Sequence, residues 1–152
     1  MQDTPDSKPG SPETILAFDF GLRRIGVAVG QSVTASANPL GVVANSADGP
    51  DFEAISRLID EWRPSRLVVG LPMHADGEPG AMQAHVEEFV RELLRFQLEV
   101  DTVDERYTSL EAEQALKNAR ASGSRGRITR EAIDSAAAVF IAERFLSGRT
   151  NV

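Results

Sequence analysis

The chain has no cysteine, one tryptophan, one tyrosine and two histidines among 152 residues. The missing cysteine excludes a disulfide framework, thiolate-bound zinc, iron–sulfur clusters and a cysteine nucleophile together. With only His74 and His85 available, zinc chemistry has too few nitrogen ligands to be the expected reading. No apolar run reaches the length of a membrane span, and the opening Met1–Gly10 stretch has no apolar core of the kind secretory signals carry. The expectation is a cytoplasmic protein with no membrane partner. Basic residues are also scarce, 16 against 23 acidic, for a net charge of −7. That balance argues against a general polyanion binder, although a local basic patch can override the sum.

What is present fits one domain. Residues 1–13 are polar and rich in Pro, Gly and Asp, and are expected to form a disordered tail, as are residues 148–152. Between them, residues 14–147 alternate short apolar runs with amphipathic stretches. Ile15–Phe20 and Ile25–Val29 are strand-like and closely spaced, which predicts an antiparallel hairpin. A third strand is expected over Val33–Val43, weakened or pushed to an edge by Pro39. Phe52, Ile55, Leu58, Ile59 and Trp62 recur at helical spacing up to Pro64. Leu67–Gly70 reads as a buried parallel strand, Leu71–Gly80 as a loop, and Met82–Leu94 as a second amphipathic helix. A last strand at Leu98–Val103 is followed by a capping box, Thr108 with Glu111, which opens a third helix. The final helix is expected over Thr129–Leu146. This order predicts an α/β fold: a mixed sheet whose first three strands are antiparallel and whose later strands join through parallel βαβ crossovers. Helices cover both faces, and the first strand lies near the centre.

Three carboxylates stand out. Asp19 sits inside an apolar strand, where an unpaired charge costs several kcal/mol (roughly) unless it is satisfied or used. Backbone amides or Arg23 could satisfy it; alternatively, it lies at the carboxyl end of a central strand, where open α/β sheets bind ligands. Glu105 follows the last strand, with Arg106 as its structural alternative partner. Asp134 lies on the final helix just before Ala136-Ala137-Ala138, small residues that let a helix approach a sheet closely. Converging, the three would form an all-oxygen site suited to Mg²⁺ or Mn²⁺, and such sites support two-metal hydrolysis of phosphodiesters. Gly21 and Gly26 flank the hairpin turn and would let backbone amides approach a phosphate. From Lys117 to Arg130 there are five basic residues (Lys117, Arg120, Arg125, Arg127 and Arg130) and no acid, which leaves the rest of the chain at −12. A flexible Ser-Gly-Ser-Arg-Gly-Arg centre makes this segment a candidate clamp on a nucleic-acid backbone.

These motifs resemble those of the YqgF family of bacterial RNase H-like proteins. Ala17-Phe18-Asp19-Phe20-Gly21 through Ile25-Gly26-Val27-Ala28 is similar to its opening motif. Val69-Gly70-Leu71-Pro72, Asp104-Glu105-Arg106-Tyr107-Thr108-Ser109 and Asp134-Ser135-Ala136-Ala137-Ala138 resemble the later ones, in order, over about residues 14–146. The resemblance implies an RNase H-like nuclease domain acting on nucleic acid. The expected substrate is the 5′ end of pre-16S rRNA in ribosome biogenesis, with branched DNA, as in a Holliday junction resolvase, as the alternative. It implies Asp19, Glu105 and Asp134 as catalytic metal ligands, and Arg106 and Thr108 as phosphate contacts or supports of Glu105. Arg23 and Arg24 join the candidate phosphate contacts. Glu131 departs from the pattern, standing where the family often has lysine. A catalytically silent RNA-binding assembly factor, and a small nucleotide-binding domain akin to sugar kinases, are the readings from other classes. The expected assembly is a monomer or weak homodimer.

Overall fold

The structure, a computed structural model, describes residues 12–71, 82–104 and 130–150. Strands β1 (Thr14–Asp19), β2 (Arg24–Gln31), β3 (Ser36–Ser46) and β4 (Gly49–Pro50) lead into helix α1 (Phe52–Trp62). Strand β5 (Arg66–Leu71), helix α2 (Gln83–Leu93), a 3₁₀ turn (Leu94–Phe96), strand β6 (Glu99–Asp104) and helix α3 (Arg130–Thr150) follow. The six strands form one mixed sheet in the order β4-β3-β2-β1-β5-β6. β1 to β4 are joined antiparallel, whereas β1–β5 and β5–β6 are parallel. β1 is therefore interior, as its uninterrupted apolar run predicts. The helix expected after Thr108 lies outside the described residues.

Alternation along β1 divides the core between the two faces. Leu16 and Phe18 pack with Ile55 of α1 and with Val86, Phe89 and Leu93 of α2. Ile15 and Ala17 face the other way, onto Ile141, Ala142 and Leu146 of α3. On the first face Phe89 gathers the aromatic residues, meeting Phe18 edge-on at 5.8 Å and lying 5.1 Å from Phe20 and 6.3 Å from Phe52. Such ring pairs add about 0.5–1.5 kcal/mol each beyond their burial.

Helix α1 ends where the sequence requires. Asp51 caps its start by accepting the Ala54 N–H at 3.1 Å. Arg63 closes it in the left-handed conformation, φ 50°, and its N–H reaches the Ile59 carbonyl. Pro64, next in the chain, disfavours a helical residue before it.

The expected bounds of β3 need correction. β3 starts and ends three residues later than predicted, because Ser32–Ala35 makes the turn, with the Ala35 N–H on the Ser32 carbonyl at 3.2 Å. At Pro39 the strand has β2 on one side only, because β4, too short to be read from sequence, pairs just with Asn45 and Ser46. The pairing with β2 jumps from Val27↔Gly41 to Ala28↔Pro39, so Leu40 is the extra residue of a bulge beside the proline. Glu13 is buried and bonded to Ser32, Ser65 and Arg66, while α3 runs on through Gly148 to Thr150.

Arg66 is the polar anchor of the far end of the sheet. Its guanidinium meets Glu13 at 3.1 Å, Asp101 at 2.6 Å and Glu99 at 2.5 Å, and lies 5.8 Å from the Phe145 ring of α3. Burial alone would lower its pKa, but hydrogen bonds to Glu13, Asp101 and Glu99 outweigh that and hold it above the ordinary arginine value.

Candidate active site

Asp19 is the last residue of β1, at the carboxyl end of an interior strand. Continuing the alternation of Ile15 and Ala17, its side chain belongs to the α3 face. The turn after it is tight: a Cβ on Gly21 would come within 2.6 Å of the Arg24 carbonyl oxygen. Steric need in the turn thus accounts for Gly21 without any ligand. Asn45 of β3 holds the same turn at two points. Its Nδ2 donates to the Gly21 carbonyl at 2.7 Å, and its backbone N–H donates to the Arg23 carbonyl at 3.0 Å.

The partner of Asp19 across the hairpin is Gly26. A Cβ at Gly26 would stand 2.0 Å from the Asp134 carbonyl oxygen, so only glycine permits α3 to come this close. Gly26 serves helix approach, a different use from the phosphate contact its spacing suggested. Farther along β2, Gly30 continues the small face: a Cβ there would meet Ile15, Leu146 and Ala142 at 3.1–3.3 Å. The register and this contact together bring Asp19 and Asp134 to one place on the α3 face. Both are half-buried. The Arg24 Nε donates to Asp134 Oδ2 at 3.0 Å, which orients the carboxylate and offsets its charge.

Ser135 fixes the helix at this point. Its buried hydroxyl accepts the Gly41 N–H at 3.2 Å and donates to the Val27 carbonyl at 3.3 Å. Those two residues flank the bulge, where the ladder is interrupted. Sequence reasoning missed both Ser135 and Asn45. Ser135 stood next to a singled-out acid inside a quoted motif, whereas nothing in one dimension marks Asn45.

The remaining predicted residues divide by position. Arg24 joins Asp134, while Arg23 lines a cleft together with Phe20 and His85, residues of the turn and α2. Arg130 is the first residue of α3. Glu105, Arg106, Thr108, Lys117, Arg120, Arg125 and Arg127 lie outside the described residues. β6, which ends at Asp104, finishes parallel to β5 and β1 and so at the same end of the sheet as Asp19. Among the described residues no three His, Cys, Asp or Glu side chains converge at metal-binding spacing. The two acids that share the α3 face, Asp19 and Asp134, offer hard oxygen donors, which fit Mg²⁺ or Mn²⁺ better than a softer ion.

A family model described as RuvX, Holliday junction resolvase, matches residues 13–148. The chain belongs to the RuvX (YqgF) family. The RuvX match takes in both Asp19 and Asp134. A relative from Paraburkholderia phymatum named "Putative pre-16S rRNA nuclease" is 46% identical over 142 residues, covering 91% of this chain and 88% of the relative. One of the same name from Burkholderia lata is 48% identical over 134 residues, covering 88% of each. Among solved structures, Thermus thermophilus RuvC in complex with a Holliday junction superposes with a TM-score of 0.55 at 16% identity, covering 92% of this chain and 97% of that one. A second Thermus thermophilus RuvC structure gives 0.50 at 14% identity, covering 90% and 95%. At that identity the likeness is one of fold: the chain has the RNase H-like architecture of RuvC. No described helix is long and apolar enough to cross a membrane.

Proposed function

We propose that this chain is a divalent-metal-dependent endonuclease that hydrolyses phosphodiester bonds in structured nucleic acid, with the 5′ region of precursor 16S rRNA as its substrate. The observation that carries the reading is the close packing of Asp134 on Gly26, the cross-strand partner of Asp19. It is supported by relatives named for pre-16S rRNA cleavage. Asp19, Asp134 and Glu105 are the residues that would hold Mg²⁺ or Mn²⁺. The bound cation, as a single ion or a pair, would activate water and stabilise the leaving oxygen. Arg24 keeps the Asp134 carboxylate aimed and, with Arg23, Arg106 and the basic segment from Lys117 to Arg130, gives an acidic protein a cationic approach for the phosphate backbone, to which the neutral Thr108 hydroxyl adds a hydrogen bond. Gly21 keeps the turn compact enough for a phosphate to lie against it.

The test is a side-by-side assay of a 5′-extended 16S rRNA fragment and a four-way DNA junction, with Mg²⁺, Mn²⁺ or EDTA. The expected result is RNA cleavage that requires the metal and is abolished in Asp19→Asn and Asp134→Asn variants whose melting temperatures stay near that of the parent. Undiminished cleavage in EDTA would defeat the proposal. A second reading, cleavage of branched DNA, has the family description on its side; preference for the junction would move the substrate to DNA. A Glu105→Gln chain that still supports growth in place of the parent would assign a binding role instead.

A further inference from the structure

Opposite the face that holds Asp19 and Asp134, the turn after Asp19 forms one wall of a cleft of about 570 Å³. That volume lies in the range of built ligand sites, roughly 300–1,000 Å³. Its largest apolar lining side chains are Phe20, Phe89 and Leu22. Phe20 and Phe89 pack ring to ring at 5.1 Å, and Leu22 stands 57% exposed, one of few large apolar side chains so placed among the described residues. The charged groups around this lining are unbalanced: Asp48, Glu88 and Glu92 face the single guanidinium of Arg23. Among the described residues only Glu88 of these acids has an ion pair, with Arg91 at 3.4 Å, and both partners are well exposed. An exposed pair at that distance neutralises little.

Two classes of occupant can be weighed on charge. A nucleic-acid strand entering here would carry its phosphates past three carboxylates, which repel it. A cationic chain with an apolar tip meets attraction at the rim and an aromatic floor for its anchor. We propose that this cleft docks a basic, apolar-tipped peptide segment of a protein partner. The cleft shares the segment Phe20–Arg23 with the turn that Asn45 clamps, so an occupant rests against the element that directly follows Asp19. The proposal stands apart from the nuclease reading: its test involves no cleavage, and of its residues only Arg23 is shared with the phosphate contacts proposed above.

The probe is a panel of fluorescein-labelled heptapeptides with lysine or arginine flanking one leucine or phenylalanine, titrated into the full chain by fluorescence anisotropy and mapped by amide shifts. Controls replace the basic residues with glutamate, or the apolar residue with serine, and a short oligouridylate stands for single-stranded RNA. The expected result is binding by the basic apolar peptides, with shifts confined to Phe20–Arg23, Asn45–Pro50 and α2. Leu22→Ser and the double variant Glu88→Gln/Glu92→Gln should each weaken binding by about fivefold or more, as losing an anchor contact does. Four results would overturn it: no binding by any peptide, equal binding of the serine control, shifts elsewhere, or tighter binding of the oligouridylate in the cleft. Leu22 and Glu88 are exposed and Glu92 is half-buried, and the shift map of the unaltered chain stands independently of the variants.

Discussion

Gly26 of β2 lies directly against the backbone of Asp134 in α3: a Cβ added to the glycine would come within 2.0 Å of the Asp134 oxygen and 2.5 Å of its carbon. Gly26 is also the cross-strand partner of Asp19. One missing methyl group therefore sets the spacing between two candidate catalytic acids.

Gly26→Ala should displace the start of α3. The obstacle is helix backbone, which cannot rotate away as a side chain can, so overpacking should cost about 1–3 kcal/mol or more. Cleavage should fall further than stability accounts for, by roughly 100-fold, because displacement on the scale of 1 Å is enough to spoil a reacting geometry. Gly30→Ala is the matched comparison. Its new methyl would meet Ile15 and Leu146 side-chain atoms, which can turn aside, and the Ala142 Cβ, from which the helix need ease away only slightly, all at 3.1–3.3 Å. Thermal melts and single-turnover cleavage of the two variants separate the effects: equal activity in both would remove Gly26 from the spacing of the acids.

Ser135→Ala should expose the cost of the bulge. The hydroxyl stands between the Gly41 N–H and the Val27 carbonyl, and its loss leaves buried backbone groups without that partner. The penalty for such groups is about 1–3 kcal/mol. Urea unfolding should show a lower midpoint with an unchanged slope. A midpoint equal to that of the parent would mean that water replaces the hydroxyl at no cost.

At the opposite end of the sheet, Arg66→Met should destabilise strongly. It would take away the guanidinium that the Glu13 carboxylate, 6% exposed, meets at 3.1 Å. Breaking a buried pair from one side costs about 3–5 kcal/mol. Glu99→Gln, by contrast, removes an acid that is 74% exposed and should matter little. Because the Arg66 pKa is raised on folding, its contribution is fully present below the ordinary arginine value and is lost only as pH rises through the still higher folded value. The stability difference between parent and Arg66→Met should accordingly stay flat from about pH 7 to pH 10. A difference that fades across that range would contradict the raised value.

Much of this fold is legible in one dimension where a local signal exists. The uninterrupted apolar run of β1 marks an interior strand, and Pro64 marks the end of α1. The bulge at Leu40 is not legible, because Ser36–Gly41 lacks alternation and Pro39 reads as an edge signal. Glu13 looks like the end of a polar tail because its partner, Arg66, is 53 residues away. The same division holds at the site. Asp19 is conspicuous as a carboxylate in an apolar strand, and Ala136-Ala137-Ala138 announces close helix packing. Which residue the helix packs against depends on the β1–β2 register, and that emerges only in three dimensions.

The last prediction concerns how a chain of net charge −7 holds a polyanion. Carboxylates gathered at one site repel each other and an approaching phosphate, so the attraction must come from elsewhere on the chain and from bound cations. Arg125 and Arg127 sit in the acid-free segment from Lys117 to Arg130, which by itself carries +5. Replacing both with alanine should weaken RNA binding and reduce the salt dependence, lowering the slope of log K against log [salt] by about one to two units. The effect should be nearly independent of sequence, as expected for contacts to the backbone alone. KM should rise more than kcat falls, because a phosphate contact remote from the scissile bond favours ground and transition states alike. Filter binding at several salt concentrations, paired with steady-state cleavage, measures both. Unchanged affinity and slope in the double variant would shift the backbone contacts to Arg23, Arg24 and Arg106.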